Sequence, residues 1–368
     1  MTSAARHWLL TEPSPGCGPE GKQMTRPHGS TPAASAQAGP QPSRSRSRFR
    51  LRYAGQSATV VEVGGAIRSY TAAGRPVLDG YGPGERCSGA RGQTLIPWPN
   101  RLRDGTYTFE GTNHQLPLTE PGKHNAIHGL ARWASWLAAR HDEDRVTMTC
   151  VLFPQPGWPF TLDLSIDYQL GPAGLSVRTT ATNTGTASCP YGAGAHPYLT
   201  LGTGIIDPLI LRAPGAIRLR TDDQAIPAGT EPAEGTGYDF RTARAIGPAV
   251  LDTGYTDLCR DGDGMAWVEL ADPAGGTAVP LWLDETCRYL MLFTGDSLPD
   301  PARRRQRLGV EPMTCAPNAL QTGDGLHVLA PGESFGSAWG IPARIPLRRG
   351  HSHIPSDPWK AHNRRKSS

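Results

Sequence analysis

The stretch that decides the fold lies mid-chain, where residues 161–168 read Thr161-Leu162-Asp163-Leu164-Ser165-Ile166-Asp167-Tyr168. Apolar residues occupy every second position. After Gly171-Pro172, the run Leu175-Ser176-Val177-Arg178-Thr179-Thr180-Ala181-Thr182 repeats the alternation. Alternation with a period of two residues places one face of a strand against a core and the other face in solvent. The two runs therefore predict consecutive strands joined by a turn.

The same alternation recurs along the central region, at 57–63, 145–151 and 267–270. Turn-forming residues separate these runs, as at Pro156-Gly157 and between Pro273 and Gly276. No helical period of ten residues or more, no strand–helix alternation and no fixed repeat is evident. The pattern predicts an all-β fold, built as a large antiparallel sandwich or barrel.

The two ends of the chain differ from this middle. Residues 1–48 are crowded with Ser, Pro, Gly and Arg, and residues 344–368 are basic with little apolar content. Such stretches cannot bury enough apolar surface to offset the entropy of ordering. We therefore expect a disordered extension over 1–48, one folded domain over 49–343 and a disordered basic tail over 344–368.

The net charge is concentrated in these ends. The chain carries +4, while the first 50 residues hold seven basic and two acidic side chains and the last 25 hold seven and one, which leaves the middle at −7. A folded region of that sign lacks the basic surface of a nucleic-acid-binding protein. We expect no nucleic-acid partner.

Targeting and crosslinking signals are also missing from the sequence. No run approaches the ~18 apolar residues that span a bilayer, and the N-terminal apolar cluster Trp8-Leu9-Leu10 is too short for a signal peptide. The seven cysteines are scattered and never form a C-x-x-C pair, which argues against a disulfide framework and a zinc site. The sequence therefore predicts a cytoplasmic protein with reduced thiols and no membrane partner.

Four segments combine reactive polar residues with prolines, glycines or aromatic residues. Prolines fix the local backbone and are excluded from the interior of a sheet, so such side chains are expected at strand ends, where clefts form. Each segment alone is also explained by a turn or a strand end. The four are Pro97-Trp98-Pro99-Asn100-Arg101, Asn125-Ala126-Ile127-His128-Gly129-Leu130, Gly194-Ala195-His196-Pro197-Tyr198 and Leu308-Gly309-Val310-Glu311-Pro312-Met313-Thr314.

Together, and in this order, the four segments resemble the signature motifs of the aldose 1-epimerase (galactose mutarotase-like) family, in particular its bacterial branch. The resemblance runs from about Phe49 to Ile341 and includes quieter stretches such as Trp133-Ala134-Ser135-Trp136. It implies the galactose mutarotase-like supersandwich fold. It also implies interconversion of the α and β anomers of a free aldohexose of the glucose or galactose kind.

The resemblance assigns the catalytic roles to two residues. Ring opening needs a base that takes the proton of the anomeric hydroxyl and an acid that protonates the ring oxygen. By similarity Glu311 is the base and His196 is the acid. Acid–base assistance of this kind contributes typically ~10²–10⁴-fold. Neither a metal nor an organic cofactor is implied, and the partner is a small sugar.

The same comparison assigns the substrate-binding shell. Asp252, in Asp252-Thr253-Gly254-Tyr255, best fits the family's sugar-binding carboxylate, with Asp257 as its rival. Trp98 is either a stacking platform for the sugar or a core residue. The residues assigned to substrate binding are Asn100, Arg101, His128, Tyr198 and Asp252.

Three alternatives remain open at this point. A hexose-6-phosphate 1-epimerase is supported by the arginine run Arg303-Arg304-Arg305-Gln306-Arg307, since guanidinium groups suit phosphate, although a solvated loop also explains the run. A glycosidase usually needs two carboxylates flanking the bond, whereas the motifs here supply one His and one Glu. A non-catalytic sugar-binding protein needs neither His196 nor Glu311. The sequence does not determine the oligomeric state.

Overall fold

A computed structural model describes residues 48–343, almost entirely as β-strands. The expected disorder of residues 1–47 and 344–368 lies outside the described residues. The strands of the first half are β1 (Arg48–Tyr53), β2 (Gln56–Val61), β3 (Ile67–Ala72), β4 (Arg75–Leu78), β5 (Thr94–Leu95), β6 (Arg101–Arg103), β7 (Thr106–Phe109), β8 (Thr112–Gln115), β9 (Asn125–Ile127), β10 (Leu137–His141), β11 (Arg145–Leu152), β12 (Leu162–Gly171) and β13 (Gly174–Asn183).

The second half adds fourteen strands and one short α-helix, α1 (Ala319–Thr322). Single 3₁₀ turns lie at Pro121–Lys123, Ala131–Trp133 and Pro301–Arg303. The strands are β14 (Cys189–Tyr191), β15 (Gly194–Ala195), β16 (Tyr198–Leu199), β17 (Ile210–Arg212), β18 (Gly215–Thr221), β19 (Pro227–Pro232), β20 (Arg244–Ala245), β21 (Asp252–Leu258), β22 (Ala266–Asp272), β23 (Thr277–Leu283), β24 (Tyr289–Phe293), β25 (Leu308–Met313), β26 (His327–Leu329) and β27 (Ser334–Ile341).

The alternating runs of the sequence form strands where they were predicted. The run at 161–168 lies in β12 and the run at 175–182 in β13, and the two pair antiparallel from Leu162↔Asn183 to Gly171↔Gly174. Along β12 every second side chain, starting at Leu162, is buried. The runs at 57–63, 145–151 and 267–270 correspond to β2, β11 and β22. The all-β prediction is confirmed.

Two large antiparallel sheets make up the fold. One contains twelve strands, and its main path runs β1-β2-β3-β4-β16-β25-β24-β21-β18-β19. The other contains nine, in the order β10-β11-β12-β13-β27-β23-β22-β17-β20. Three two-stranded pairs (β6 with β9, β7 with β8, β14 with β26) lie outside both. This arrangement places the strands that carry the His196 and Glu311 motifs in the centre of the larger sheet.

The two large sheets share one hydrophobic core. Side chains of the first sheet, such as Leu51 and Val60, belong to the same buried cluster as Leu164 and Ile166 of the second. Hydrogen bonds also connect the layers, since the Tyr168 hydroxyl donates to the Gly65 carbonyl at 2.8 Å. Two inner faces that alternate along their strands and bury one core define a β-sandwich, as the resemblance implied.

Two further sequence expectations concern membranes and disulfides. Within residues 48–343, no helix has the length and apolar character needed to cross a membrane. The six cysteines of the same region are all free thiols. Cys17 lies outside the described residues, and the expectation of reduced thiols stays a prediction.

Candidate active site

All seven residues that the sequence assigned to the site line one pocket of about 280 Å³. The pocket opens beside the centre of the larger sheet. Its wall also includes residues that no motif indicated, among them Glu120, Arg132 and Phe293. The seven predicted residues are Asn100, Arg101, His128, His196, Tyr198, Asp252 and Glu311.

His196 and Glu311 face each other at the bottom of this pocket. β15 and β16 both pair antiparallel with β25, through Gly194↔Met313 and Tyr198↔Gly309. His196 lies midway between Gly194 and Tyr198, and Glu311 lies midway between Gly309 and Met313. The strand register therefore places His196 opposite Glu311. Nε2 of His196 is 3.2 Å from Oε1 of Glu311, and both side chains are buried.

The backbone of His196 departs from regular pairing at this point. Its N–H donates to the Gln93 carbonyl and its carbonyl accepts from Gly92 N–H, whereas Val310 N–H donates to the Pro197 carbonyl. Pro197 has no N–H with which to continue the ladder. The His-Pro sequence therefore lets the backbone of His196 bond a separate segment while its side chain points toward β25.

Burial shifts the acid–base behaviour of the pair in opposite directions. It raises the pKa of the Glu311 carboxyl to about 8, assisted by the charge of Asp252, and lowers the pKa of the His196 imidazole to about 3. Both shifts favour the neutral form, because a charge is poorly solvated in a buried site. Near pH 7 the pair therefore carries one proton more than a carboxylate beside a neutral imidazole, and we call this the one-proton state.

Two atoms of this pair have no hydrogen-bond partner among the described residues, namely Nδ1 of His196 and Oε2 of Glu311. A buried polar atom without a partner costs about 1–3 kcal/mol. Such groups in a folded protein call for an explanation, and a functional role is one. Together with the shifted pKa values, they mark the pair as a candidate for proton transfer.

Asn100 and His128 form a second part of the wall. They extend the β6–β9 pairing by one position, since His128 N–H donates to the Asn100 carbonyl at 2.9 Å and Asn100 N–H donates to Nδ1 of His128 at 3.2 Å. Both residues adopt left-handed backbone angles, with φ of 55° and 64°. Non-glycine residues rarely adopt this conformation, and strain of this kind clusters at functional sites.

Arg101 is held by two carboxylates. Glu120 binds its guanidinium at two atoms, Nε at 2.8 Å and Nη2 at 3.0 Å, and Asp252 binds Nη1 at 3.3 Å. Three of the five N–H donors of the guanidinium are thereby used, and two remain for a ligand. The Asp252 side chain is 35% exposed, so its carboxylate is accessible from the pocket.

Tyr198 lies beside the His196–Glu311 pair. Its ring stacks on the His196 ring, with centroids 4.9 Å apart and 12° between planes, and its hydroxyl donates to the Gly89 carbonyl at 2.9 Å. Arg91 lies over the Tyr198 ring at 5.2 Å and pairs with Asp79. The phenol group is thus engaged with the backbone, and the ring supports the orientation of His196.

His128, His196 and Glu311 have potential metal-donor atoms that all lie within 4.8 Å of one another. Zinc needs a nitrogen lone pair about 2.0–2.1 Å from the ion. Nδ1 of His128 accepts the Asn100 N–H, so the neutral ring carries its hydrogen on Nε2. Nε2 then faces the site as a donor. The hydrogen bonding therefore favours proton transfer over metal ligation.

Three candidates that the sequence offered for the site, Asp257, Trp98 and the arginine run at 303–307, lie outside the pocket. Asp257 belongs to the same strand as Asp252 but is exposed and does not line the pocket. Trp98 is a core residue with 3% exposure. In the arginine run, Arg305 pairs with Asp207 and Asp296, and Arg307 pairs with Asp79. The run therefore stabilises neighbouring loops and does not reach the pocket.

Comparisons with known proteins identify the family of the chain. The profile of the aldose 1-epimerase family matches residues 47–340. The uncharacterized protein YihR of Escherichia coli K12 is 32% identical over 277 residues, which cover 75% of this chain and 86% of YihR.

Solved structures share the fold at lower identity. The GalM/aldose epimerase homologue of C. elegans superimposes with a TM-score of 0.71 at 15% identity, covering 80% of this chain and 98% of that one. The galactose 1-epimerase of Lactobacillus acidophilus gives a TM-score of 0.66 at 20% identity, covering 80% and 92%. With the family profile matched over nearly all the described residues, the chain belongs to the aldose 1-epimerase family.

Proposed function

We propose that this protein interconverts the α and β anomers of an aldohexose, with His196 and Glu311 as its acid–base pair. The observation that carries the proposal is the 3.2 Å contact between Nε2 of His196 and Oε1 of Glu311 at the bottom of a pocket. A sugar-binding protein would have no use for a buried carboxyl group whose pKa is raised to about 8. Perturbed pairs of this kind are typical of active sites.

The protonation state of the pair suits the reaction. Ring opening requires one group that can donate a proton and one group that can accept a proton. The shifted pKa values favour neutral Glu311 beside neutral His196 near pH 7. Transfer of the Glu311 proton across the 3.2 Å contact gives the second arrangement, carboxylate beside imidazolium. The second arrangement is the one implied by the family resemblance, with Glu311 as base and His196 as acid.

The chemical steps then balance within the pair and the sugar. Glu311 takes the proton of the hydroxyl on C1, the C1–O5 bond breaks, and His196 gives its proton to O5. The open-chain aldehyde turns about the C1–C2 bond. Closure reverses the steps on the other face of the carbonyl, and the pair regains its starting protonation. Positioned proton transfer of this kind contributes about 10²–10⁴-fold.

The remaining pocket residues hold the hydroxyl groups of the sugar. Asp252 offers an accessible carboxylate, Arg101 has two uncommitted N–H donors, and His128 directs an Nε2–H toward the pair. The side-chain carbonyl of Asn100 accepts its neighbour's N–H at 2.9 Å, which leaves its amide nitrogen for a ligand. The set contains one acceptor and three donors, and a sugar hydroxyl can pair with either kind because it both donates and accepts.

The test is magnetisation exchange between the two anomeric protons of an aldose, measured by NMR with and without the protein. We expect the wild-type protein to accelerate exchange and the Glu311→Gln variant to leave it near the spontaneous rate. Exchange that is equally fast with both proteins would contradict the proposal.

A further inference from the structure

Arg132 is a cation in the pocket wall that no carboxylate of the described residues neutralises. It lies in the 3₁₀ turn Ala131–Trp133, is partly buried, and lines the same pocket as the catalytic pair. The protein groups that act on its charge are the thiol of Cys87 and the like charge of Arg86. Its nearest aromatic neighbour is Trp133, whose ring centroid lies 5.6 Å from its guanidinium carbon.

Two other arginines near the catalytic pair are neutralised by carboxylates. Arg101 binds Glu120 and Asp252, and Arg91 binds Asp79 at 2.9 Å. Burying a cation without a partner is costly, so folded proteins pair such groups. Burial indeed lowers the pKa of Arg132 from its ordinary value. A guanidinium without a carboxylate partner in a pocket wall can form charge-assisted hydrogen bonds to an oxyanion of a ligand.

The charges of the pocket are divided between its two ends. Arg132 acts on both histidines, lowering the pKa of His128 and of His196, in addition to the effect of burial. Arg101 adds to this effect at His128 and Arg91 adds to it at His196. The charges that act on Glu311 are those of Asp252 and Arg101. Arg91 and Arg101 are paired with carboxylates, so the unneutralised positive charge of the pocket lies where Arg132 lines it, which is its cationic end.

The chemistry of the proposed reaction fixes how a sugar is oriented relative to the charged residues of the pocket. His196 protonates the ring oxygen, which is bonded to C1 and C5. The exocyclic C6 group is attached to C5, so it lies on the ring-oxygen side of the sugar, away from the C1 hydroxyl that Glu311 deprotonates. A substituent at C6 is therefore the part of the sugar that comes nearest to the cationic end.

We propose that the substrate is an aldose with an acidic group at C6, and that Arg132 binds this group. The inference rests on the proposed function, because it uses the orientation set by His196 and Glu311. The shared chemistry is a carboxylate, sulfate or phosphate oxyanion accepting hydrogen bonds from one guanidinium. It replaces the sequence expectation of a neutral hexose, and it assigns to Arg132 the role considered for the arginine run at 303–307.

The test compares four sugars: glucose, glucuronate, glucose 6-sulfate and glucose 6-phosphate. Anomeric exchange is measured with the wild-type protein and the Arg132→Met variant, which keeps the length of the side chain. We expect wild-type kcat/KM to be roughly 10- to 100-fold higher for at least one acidic sugar than for glucose, as expected for a hydrogen-bonded charge pair. The acidic sugar that is preferred identifies the oxyanion.

In the Arg132→Met variant the ratio of acidic to neutral kcat/KM should fall toward one. The matched control is Arg86→Met, because Arg86 also lies over the Trp133 ring, at 5.0 Å, but is exposed and does not line the pocket. That variant should keep the wild-type ratio. A second measurement uses wild-type protein alone: raising the ionic strength should increase KM for the acidic sugar and leave KM for glucose unchanged.

Equal wild-type kcat/KM for all four sugars would overturn the inference, and so would an equal loss of preference in the Arg86 and Arg132 variants. Either result leaves anomeric exchange itself in place. Absence of exchange with every sugar is a different outcome, which would overturn the proposed function.

Discussion

His196 lies opposite Glu311 across two antiparallel strand segments, with Nε2 of the imidazole 3.2 Å from Oε1 of the carboxyl group. The contact places an imidazole and a carboxyl group within direct proton-transfer distance of each other. Both side chains are buried, so each forms part of the other's immediate surroundings. Changes to one residue should therefore alter the chemistry of both.

Removing either member of the pair should abolish most of the activity. We expect Glu311→Gln and His196→Asn each to lower kcat by about 10²-fold or more, because each removes a positioned proton-transfer group. Anomeric exchange at saturating substrate measures the effect, and circular dichroism checks that the variants fold.

The matched control for the histidine is His124→Asn. His124 contacts Asp104 and its side chain is 63% exposed, away from the pocket. It should retain wild-type activity. If Glu311→Gln or His196→Asn keeps more than about half of the wild-type kcat, the role assigned to that residue is wrong.

The pH dependence of kcat/KM should form an unusually wide bell. The one-proton state is lost on the alkaline side when Glu311 ionises, at about pH 8, and on the acidic side only when His196 gains a proton, far below its ordinary 6.5. The profile of kcat/KM reports groups of the free enzyme. Rates corrected for spontaneous mutarotation between pH 4 and 10 give the profile, and an acidic limb centred near 6.5 would contradict this assignment.

The same shift should appear in stability. The pKa of Glu311 is raised from 4.5 to about 8 on folding, so between these values the folded state binds a proton that the unfolded state does not. Wild-type stability contributed by this carboxyl is present below pH 4.5 and is lost as the pH rises through 8. Glutamine does not titrate.

The difference in Tm between Glu311→Gln and the wild type should therefore grow in favour of the variant from pH 5 to pH 9. Differential scanning calorimetry over that range measures it. A difference that stays constant with pH would show that the carboxyl group has an ordinary pKa.

The two aspartates of β21 offer a matched test of sugar binding. Asp252→Asn should chiefly raise KM, by roughly 10- to 100-fold, since a hydrogen bond to a charged group contributes about 1.5–3 kcal/mol. Asp257→Asn, on the same strand but outside the pocket, should leave KM unchanged. A larger effect at Asp257 would transfer the binding role to that residue.

Much of the fold could be predicted from the sequence because its cause is local. A period of two along 161–168 and 175–182 requires one buried face, and the intervening Gly-Pro fixes the turn, so β12 and β13 follow directly. The order in which β4, β16 and β25 join one sheet depends on contacts between residues far apart in the chain. No local pattern encodes that order.

The site shows the same division. Reactive residues beside prolines, such as His196 and Glu311, were recognisable by their motifs. No motif indicated Glu120 or Arg132. Glu120 acts through its ion pair with Arg101, and Arg132 is notable because no carboxylate of the described residues pairs with it. Neither property can be recognised in the sequence. The composition of the arginine run at 303–307 suggested phosphate binding, but the Arg305 side chain forms ion pairs with Asp207 and Asp296.

The most direct test of the central claim is polarimetry of freshly dissolved α-D-glucose and α-D-galactose, extended to acidic aldoses by NMR exchange. Catalytic amounts of wild-type protein should speed the approach to the equilibrium rotation without changing its end point, and Glu311→Gln should not. A mutarotation rate equal to that of buffer for every aldose, neutral or acidic, would contradict the account.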